Sequence, residues 1–278
     1  MIQYIEPLKF NNSYKEKKPK EDSVILYYKD RSVLVKENDG NISFPTYNEV
    51  KDKDRLYTYL FSIDDRDYFL AKSNLGEKLN DYEMKNIQLF RTACPKYLAF
   101  AGITGFQLYN WYENNKFCGR CGKELEKDHK ERMLHCKCCN NMVYPKICPA
   151  VIVGVTNGDK LLMTKYAQGG YKEYGLVAGF AEVGETIEET VKREVMEEVG
   201  LKVKNIRYYK SQPWSFSDTL LMGFFVEVDG DISITRDEEE LAVAEWVDRE
   251  DIKVEDTDLS LTNEMILKFK NKELIFFS

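Results

Sequence analysis

Apolar and polar positions repeat along this chain with two periods. Short runs that alternate or are continuously apolar predict strands, and a period near 3.6 predicts helices. "SVILYYKDRSVLVK" (23–36) predicts two strands around a turn at Asp30–Arg31, and "YFLAK" from Tyr68 predicts another. Residues 77–115 read as a long helix-rich stretch interrupted by Pro95, Gly102 and Gly105. The strand "AVIVGVTN" (150–157) turns at Asn157–Gly158 into "KLLMTKYA" (160–167). "YGLVAGF" (174–180) follows, then one helix, then strands at "VKNIRYYKSQPW" (203–214), "TLLMGFFVEV" (219–228) and "LAVAEWVD" (241–248). A final helix is predicted after Ser260. Strands interrupted by two helices predict a mixed α/β fold in which a sheet packs between helices.

The helix after "YGLVAGF" is the most informative element. Thr186 with Glu189 three residues on predicts a capping box, and Gly200 predicts the stop. Ile187, Val191, Val195 and Val199 recur every four residues and define the buried stripe. At roughly 100° per residue, Glu194 and Glu198 fall within about 60° of the Ile187–Val191 edge of that stripe, and Glu197 lies close behind. Glu188 and Glu189 fall off it, as ordinary solvated charges would. Like charges beside a buried stripe are unfavourable unless a cation compensates them. Carboxylates four residues apart can share one divalent cation.

A length of 278 residues suits about two domains with real cores, and 43% hydrophobic and 13% aromatic content suits a globular chain. The net charge of -7 argues against a broad nucleic-acid footprint, though not against a phosphate-bearing substrate held through a metal. No apolar run reaches the ~18 residues of a membrane span, and the N-terminus lacks the pattern of a secretory signal, so the expected location is cytoplasmic.

Five of the seven cysteines lie between Cys118 and Cys139. Cys118-x2-Cys121 and Cys136-x2-Cys139, fourteen residues apart, predict a closed tetrahedral zinc site of structural type. Cys138 competes for the register, and Cys94 and Cys148 read as small buried hydrophobes. Lys116, Arg120, Lys123, Lys127, Lys130, Arg132 and Lys137 surround the cluster, but Glu124, Glu126, Asp128 and Glu131 offset them, so this face reads as solvated surface. The two histidines, His129 and His135, both lie in the cysteine region; neither a G-x-S-x-G elbow nor a G-x4-G-K-[ST] loop occurs.

"GFAEVGETIEETVKREVMEEVGL" resembles the Nudix box, G-x5-E-x7-R-E-U-x-E-E-x-G-U with U aliphatic. Gly179, Glu185, Arg193, Glu194, Val195, Glu197, Glu198, Gly200 and Leu201 fit its fixed positions. The resemblance implies an α/β/α sandwich and Mg²⁺- or Mn²⁺-dependent cleavage of a nucleoside diphosphate linked to another moiety. It implies Glu194 and Glu198 as metal ligands, Glu197 as a further ligand or water-activating base, an orienting Arg193–Glu185 pair, and the Ala178 carbonyl as another ligand. "SQPWSFSDT" from Ser211 resembles the S-Q-P-W-P-F-P-x-S array that follows the box in NADH pyrophosphatases. Ser211, Gln212, Pro213, Trp214 and Phe216 match it, while Ser215, Ser217 and Thr219 depart from Pro, Pro and Ser.

That subfamily resemblance extends substrate contact to Tyr144, Phe180, Gln212, Pro213, Trp214, Ser215, Phe216, Ser217, Asp218 and Thr219, and a later metal ligand to Glu240, with Glu239 a close competitor. It implies an N-terminal Nudix-like α/β domain at 1–110, a zinc ribbon at 111–145 and a catalytic Nudix domain at 146–278. It further implies hydrolysis of NADH or NAD⁺ to nicotinamide mononucleotide and AMP, removal of NAD caps from RNA 5′ ends, and a homodimer. A Nudix diphosphatase for ADP-ribose or another nucleotide sugar is the alternative, and a non-catalytic zinc-ribbon binding module is a second.

Overall fold

The computed structural model describes residues 1–50, 56–72, 75, 79, 81–167 and 173–273. The start of the helix-rich stretch, at residues 77–78 and 80, lies outside them. The chain divides into two compact units, one of residues 2–146 with 215–217, the other of Met1 with 147–214 and 218–278.

In the first unit, Val24–Leu26 pairs in parallel with Arg66–Ala71, which also pairs with Tyr57–Ile63. Ser32–Asn38 turns back on Tyr28–Lys29, with Asp30 at φ 51°, and pairs on its other edge with Glu83–Asn86. The expected hairpin at Asp30–Arg31 is present, but its first arm is split at Tyr27 between two sheets.

Gly102 and Gly105 do not interrupt the helix, which runs unbroken from Lys96 to Asn114. They admit neighbours instead: a Cβ at Gly102 would meet the Phe90 ring at 2.2 Å, and one at Gly105 would meet Leu26 at 2.5 Å. Packing at these close approaches outweighs the roughly 1 kcal/mol helical penalty of each glycine. Tyr28 completes the contact by donating its hydroxyl to the Gly102 carbonyl at 2.6 Å.

The ribbon is a three-stranded antiparallel sheet of Glu126–Lys127, Leu134–His135 and Met142–Val143. Strands of two residues are too short to hold themselves together in water, so the fold here depends on what joins the loops.

The second unit is built on Cys148–Asn157, which pairs in parallel with Thr219–Val228. The sheet continues through Val203–Trp214 on one side and through Lys160–Tyr166 and Leu241–Asp248 on the other, all antiparallel. The central strand is buried on both faces, so its side chains divide between two cores. Val151, Val153 and Val155 pack with Val191, Val195 and Val199 of the acidic helix, Ile187–Val199. Ile152 packs on the other face with Leu261, Met265 and Ile266 of the last helix, Leu261–Lys270. The expected mixed sheet between two helices is present.

One irregularity matters for the site. The central strand pairs with Lys160–Tyr166 only at Thr156 and Asn157, whereas Ala150–Val153 pair with Val177–Phe180. The sheet thus opens partway along, and the strand inserted there runs beside the acidic helix.

Candidate active site

The acidic helix begins and ends as its sequence predicts. Thr186 and Glu189 form the reciprocal capping box, and Gly200 closes the helix at φ 70°. Val191, Val195 and Val199 are fully buried. Because Glu194 and Glu198 flank that stripe, they are carried inward with it and are only 8% and 2% exposed. Glu197, one step round, keeps a 60% exposed side chain.

Arg193 ties the acids together. Its Nε donates to Glu185 Oε1 at 2.8 Å and its Nη2 to Glu185 Oε2 at 3.0 Å, a two-pronged pairing. Its Nη1 donates to Glu194 Oε1 and to Glu197 Oε2, both at 2.8 Å, and Nη2 also reaches the Phe180 carbonyl at 2.9 Å. One guanidinium therefore joins the loop before the helix, the inserted strand and two helical carboxylates. The Arg193 bonds, with help from the Glu182 N–H and the Thr190 hydroxyl, hold Glu185 down to about 2.

Glu198 is in the opposite condition. Its Oε1 accepts a hydrogen bond from the Ala178 N–H at 3.2 Å, while its Oε2 is buried with no hydrogen-bond partner. Burial pushes this carboxyl up to about 8, aided by the charges of Glu194, Glu240 and Asp237. Glu194 is also raised, first by burial, despite its bond to Arg193. A buried carboxylate oxygen without a donor is costly, and a cation is the partner that Glu198 lacks, with Glu194 beside it as a second buried acid. Gly179 is part of the same cradle: a Cβ there would fall 2.0 Å from the Glu194 carboxyl carbon.

The loop before Leu241 is pinned to the end of this helix. Thr235 N–H donates to the Val199 carbonyl at 3.0 Å and Asp237 N–H to the Glu198 carbonyl at 2.9 Å. Glu240 acts electrostatically on both Glu194 and Glu198.

The four expected zinc ligands converge. Sγ atoms of Cys118, Cys121, Cys136 and Cys139 lie within 4.8 Å of one another, with Cys118–Cys139 at 3.6 Å and Cys121–Cys136 at 3.4 Å. A tetrahedral zinc with sulfur at about 2.3 Å requires S–S edges of roughly 3.8 Å, so the set fits structural zinc. The two loops repeat one design. Gly122 N–H donates to the Cys118 carbonyl and Asn140 N–H to the Cys136 carbonyl, each at 2.8 Å. Cys138 is exposed and outside the set, which resolves the register. Cys94, expected to be buried, is exposed, and Cys148, at the start of the central strand, is only half-buried.

The other singled-out residues have varied settings. Phe180 is 53% exposed beside the acidic helix. Tyr144, in the first unit, is 53% exposed and donates its hydroxyl to Glu131 at 3.1 Å. Gln212 is fully buried: its Nε2 donates to the Leu259 carbonyl at 3.0 Å and its Oε1 accepts from the Leu261 N–H at 2.7 Å. Ser215, Phe216 and Thr219 are buried, with the Phe216 ring 4.7 Å from the Arg91 guanidinium. Pro213 and Ser217 are exposed, Trp214 is half-buried, and half-buried Asp218 turns the chain at φ 57°. The anchoring of Gln212 on the last helix was not legible in the sequence, since it depends on a partner some fifty residues away.

Comparison with known proteins agrees with this geometry. Residues 146–268 match the NUDIX domain. Residues 113–144 match the NADH pyrophosphatase zinc ribbon domain. The NAD-capped RNA hydrolase NudC of Klebsiella pneumoniae (strain 342) is 39% identical over 166 residues, covering 59% of this chain and 63% of that protein. The protein of the same name from Shigella flexneri is 43% identical over 149 residues, covering 53% and 57%. The matched stretch thus spans about 57–63% of the length of these curated relatives. A Nudix hydrolase crystal structure from Nitrosomonas europaea aligns with a TM-score of 0.49 at 22% identity, covering 57% of this chain and 92% of that one.

Nudix hydrolases use Mg²⁺ or Mn²⁺, and Glu194 and Glu198 are the buried acids suited to such an ion. Two outcomes follow. Gly179→Ala forces the Glu194 carboxyl aside, and Mn²⁺ affinity by calorimetry should fall tenfold or more, at least about 1.4 kcal/mol; unchanged affinity would separate Glu194 from the metal. The second concerns pH. In metal-free protein the folded Glu198 binds its proton up to about pH 8, while the unfolded chain releases it near 4.5. The unfolded state then holds fewer protons, so stability declines as pH rises through that window. Melting temperature of the metal-free protein should fall from pH 5 to 8, and Mn²⁺ should abolish the fall.

Proposed function

We propose that this chain hydrolyses the pyrophosphate bond of NADH or NAD⁺ to nicotinamide mononucleotide and AMP, and removes NAD caps from RNA 5′ ends. The observation that carries the hydrolytic reading is the buried pair Glu194 and Glu198, with the unpartnered Glu198 oxygen facing no protein donor. The substrate reading is supported by the ribbon, of NADH pyrophosphatase type, and by relatives named for hydrolysis of NAD-capped RNA.

In the reaction, water oxygen bonds to one phosphorus as the bridging P–O bond breaks, and the bridging oxygen leaves on the other phosphate. Glu194 and Glu198 would hold the divalent ion, with the Ala178 carbonyl and Glu240 as further ligands. When bound, that ion neutralises phosphate charge and lowers the pKa of water. Glu197, exposed and hydrogen-bonded to Arg193, serves as the base that takes the water proton or as another ligand. Arg193 holds Glu185, Glu194 and Glu197 in register. Phe180, Tyr144, Gln212, Pro213, Trp214 and the 215–219 segment are the proposed substrate contacts. The organisation is an N-terminal domain at 1–110, a ribbon at 111–145 and a catalytic domain at 146–278, working as a homodimer in the cytoplasm.

The test is product analysis on the full chain with Mn²⁺, comparing NADH, NAD⁺, NAD-capped RNA and ADP-ribose. The expected result is AMP release with the highest kcat/KM on NADH or the capped RNA. Ser215, Ser217 and Thr219, which depart from the NADH pyrophosphatase array, favour the second reading, and a clear preference for ADP-ribose would establish it. No product from any of the four would leave a binding module.

A further inference from the structure

The charge of the chain is unevenly spread. Residues 1–146 carry 25 basic and 21 acidic side chains, net +4, while residues 147–278 carry 15 and 26, net -11. The overall -7 therefore conceals a basic first unit. Within that unit a cleft of about 410 Å³ is lined, among the described residues, by Tyr14, Lys15, Glu16, Lys17, Lys18, Tyr57, Thr58, Tyr59 and Lys127. Four lysines and one glutamate converge on it.

The lysines differ in their commitments. Lys17 is paired with Asp67 at 2.6 Å. Glu16 is drawn to His129 at 2.7 Å. Lys15 and Lys18 are exposed and form no ion pair among the described residues. Lys127 is half-buried, donates to the Thr58 hydroxyl and lies 4.9 Å from the Tyr112 ring centroid. Burial and the nearby Lys72 push its amine down to about 8. Lys127 is thus not the solvated, offset charge that its neighbourhood in the sequence suggests. It is a partly desolvated ammonium with Lys72 nearby, and the one carboxylate acting on it, Glu16, is drawn to His129, so the cleft has room for a further anion. Tyr14 and Tyr57, both half-buried, put aromatic rings on the same cleft. Cations for a phosphate beside rings for a base form the chemistry of single-stranded nucleic-acid platforms.

We propose that this cleft is a second, non-catalytic nucleotide site, with the phosphate against Lys15, Lys18 and Lys127 and the base against Tyr14 and Tyr57. The nucleotide comes either from an RNA strand or from the free pool. The volume suits one nucleotide unit at a time.

The test uses the full chain without added divalent metal. A fluorescent uncapped ten-residue oligoadenylate and, separately, AMP are titrated into wild type and into the double variant Lys15→Ala/Lys18→Ala. Both side chains are exposed, so the fold should persist, and NADH turnover should not change. If the source is RNA, oligonucleotide affinity should fall at least tenfold, and the slope of log affinity against log salt should lose about 1.4, or 0.7 per phosphate contact. If the source is free nucleotide, AMP should bind with a Kd that the variant raises at least tenfold, and AMP should displace the oligonucleotide. Lys127→Met should weaken the same ligand. Unchanged affinities for both ligands in both variants would overturn the proposal, whatever the Nudix unit proves to hydrolyse.

Discussion

Glu198→Gln should lower kcat/KM for NADH on the order of 10³-fold, about 4 kcal/mol of transition-state stabilisation, while making the metal-free protein more stable above pH 8. The two effects have one origin. Glu198 is 2% exposed, and its Oε2 has no hydrogen-bond partner. Without a cation, ionising it puts an uncompensated charge in a buried place. Glutamine keeps the shape and the acceptor for the Ala178 N–H but carries no charge, so it removes both the cost and the ability to grip a divalent ion. A residue of purely structural importance would lose stability and activity together. The checks are steady-state kinetics with Mn²⁺ and thermal melts of the metal-free protein at pH 6 and 8.5. A variant retaining full turnover, or melting lower at pH 8.5, would remove Glu198 from the metal site.

Cys136→Ser should strip the protein of zinc and melt the ribbon. Cys136 is fully buried, with its Sγ 3.4 Å from that of Cys121. The sheet it anchors has strands of only two residues, and its own apolar interior is little more than Met133 and Leu134. Structural zinc contributes about 10–16 kcal/mol to folding in isolated zinc peptides, far more than so small a core can supply. Zinc content should fall from one per chain to near zero, and limited proteolysis should open residues 117–144. Cys138→Ser, outside the cluster, should keep its zinc and its resistance; the reverse pattern would mean that the register is wrong.

Much of the site was legible because its causes are local. The capping box, the four-residue stripe and the glycine stop act within a few residues, so helix 187–199 appears in the structure with its predicted ends. The position of Glu194 and Glu198 beside the stripe is a matter of helical angle, and burial follows from it. The cysteine pairs were legible for a similar reason, since a C-x2-C loop presents both sulfurs on one turn. The helix at 96–114 was misread at Gly102 and Gly105 because the reward for those glycines is contact with Phe90, Leu26 and Tyr28, none of which a local window weighs.

From sequence alone came most strands of the second unit, the apolar stripe and the acids that border it, because alternation and helical periodicity are properties of the backbone itself; Tyr57–Ile63 was not foreseen, and Glu83–Asn86 is a strand within the stretch read as helix-rich. Only the tertiary structure decided that the central strand parts from Lys160–Tyr166 and takes Val177–Phe180 beside it. It also decided that Arg193 gathers Glu185, Glu194 and Glu197, that Gln212 bonds to Leu259 and Leu261 at the start of the last helix, and that Lys127 sits half-buried in a lysine-rich cleft. Each of these depends on desolvation and on partners distant along the chain, which no pattern of neighbouring residues encodes.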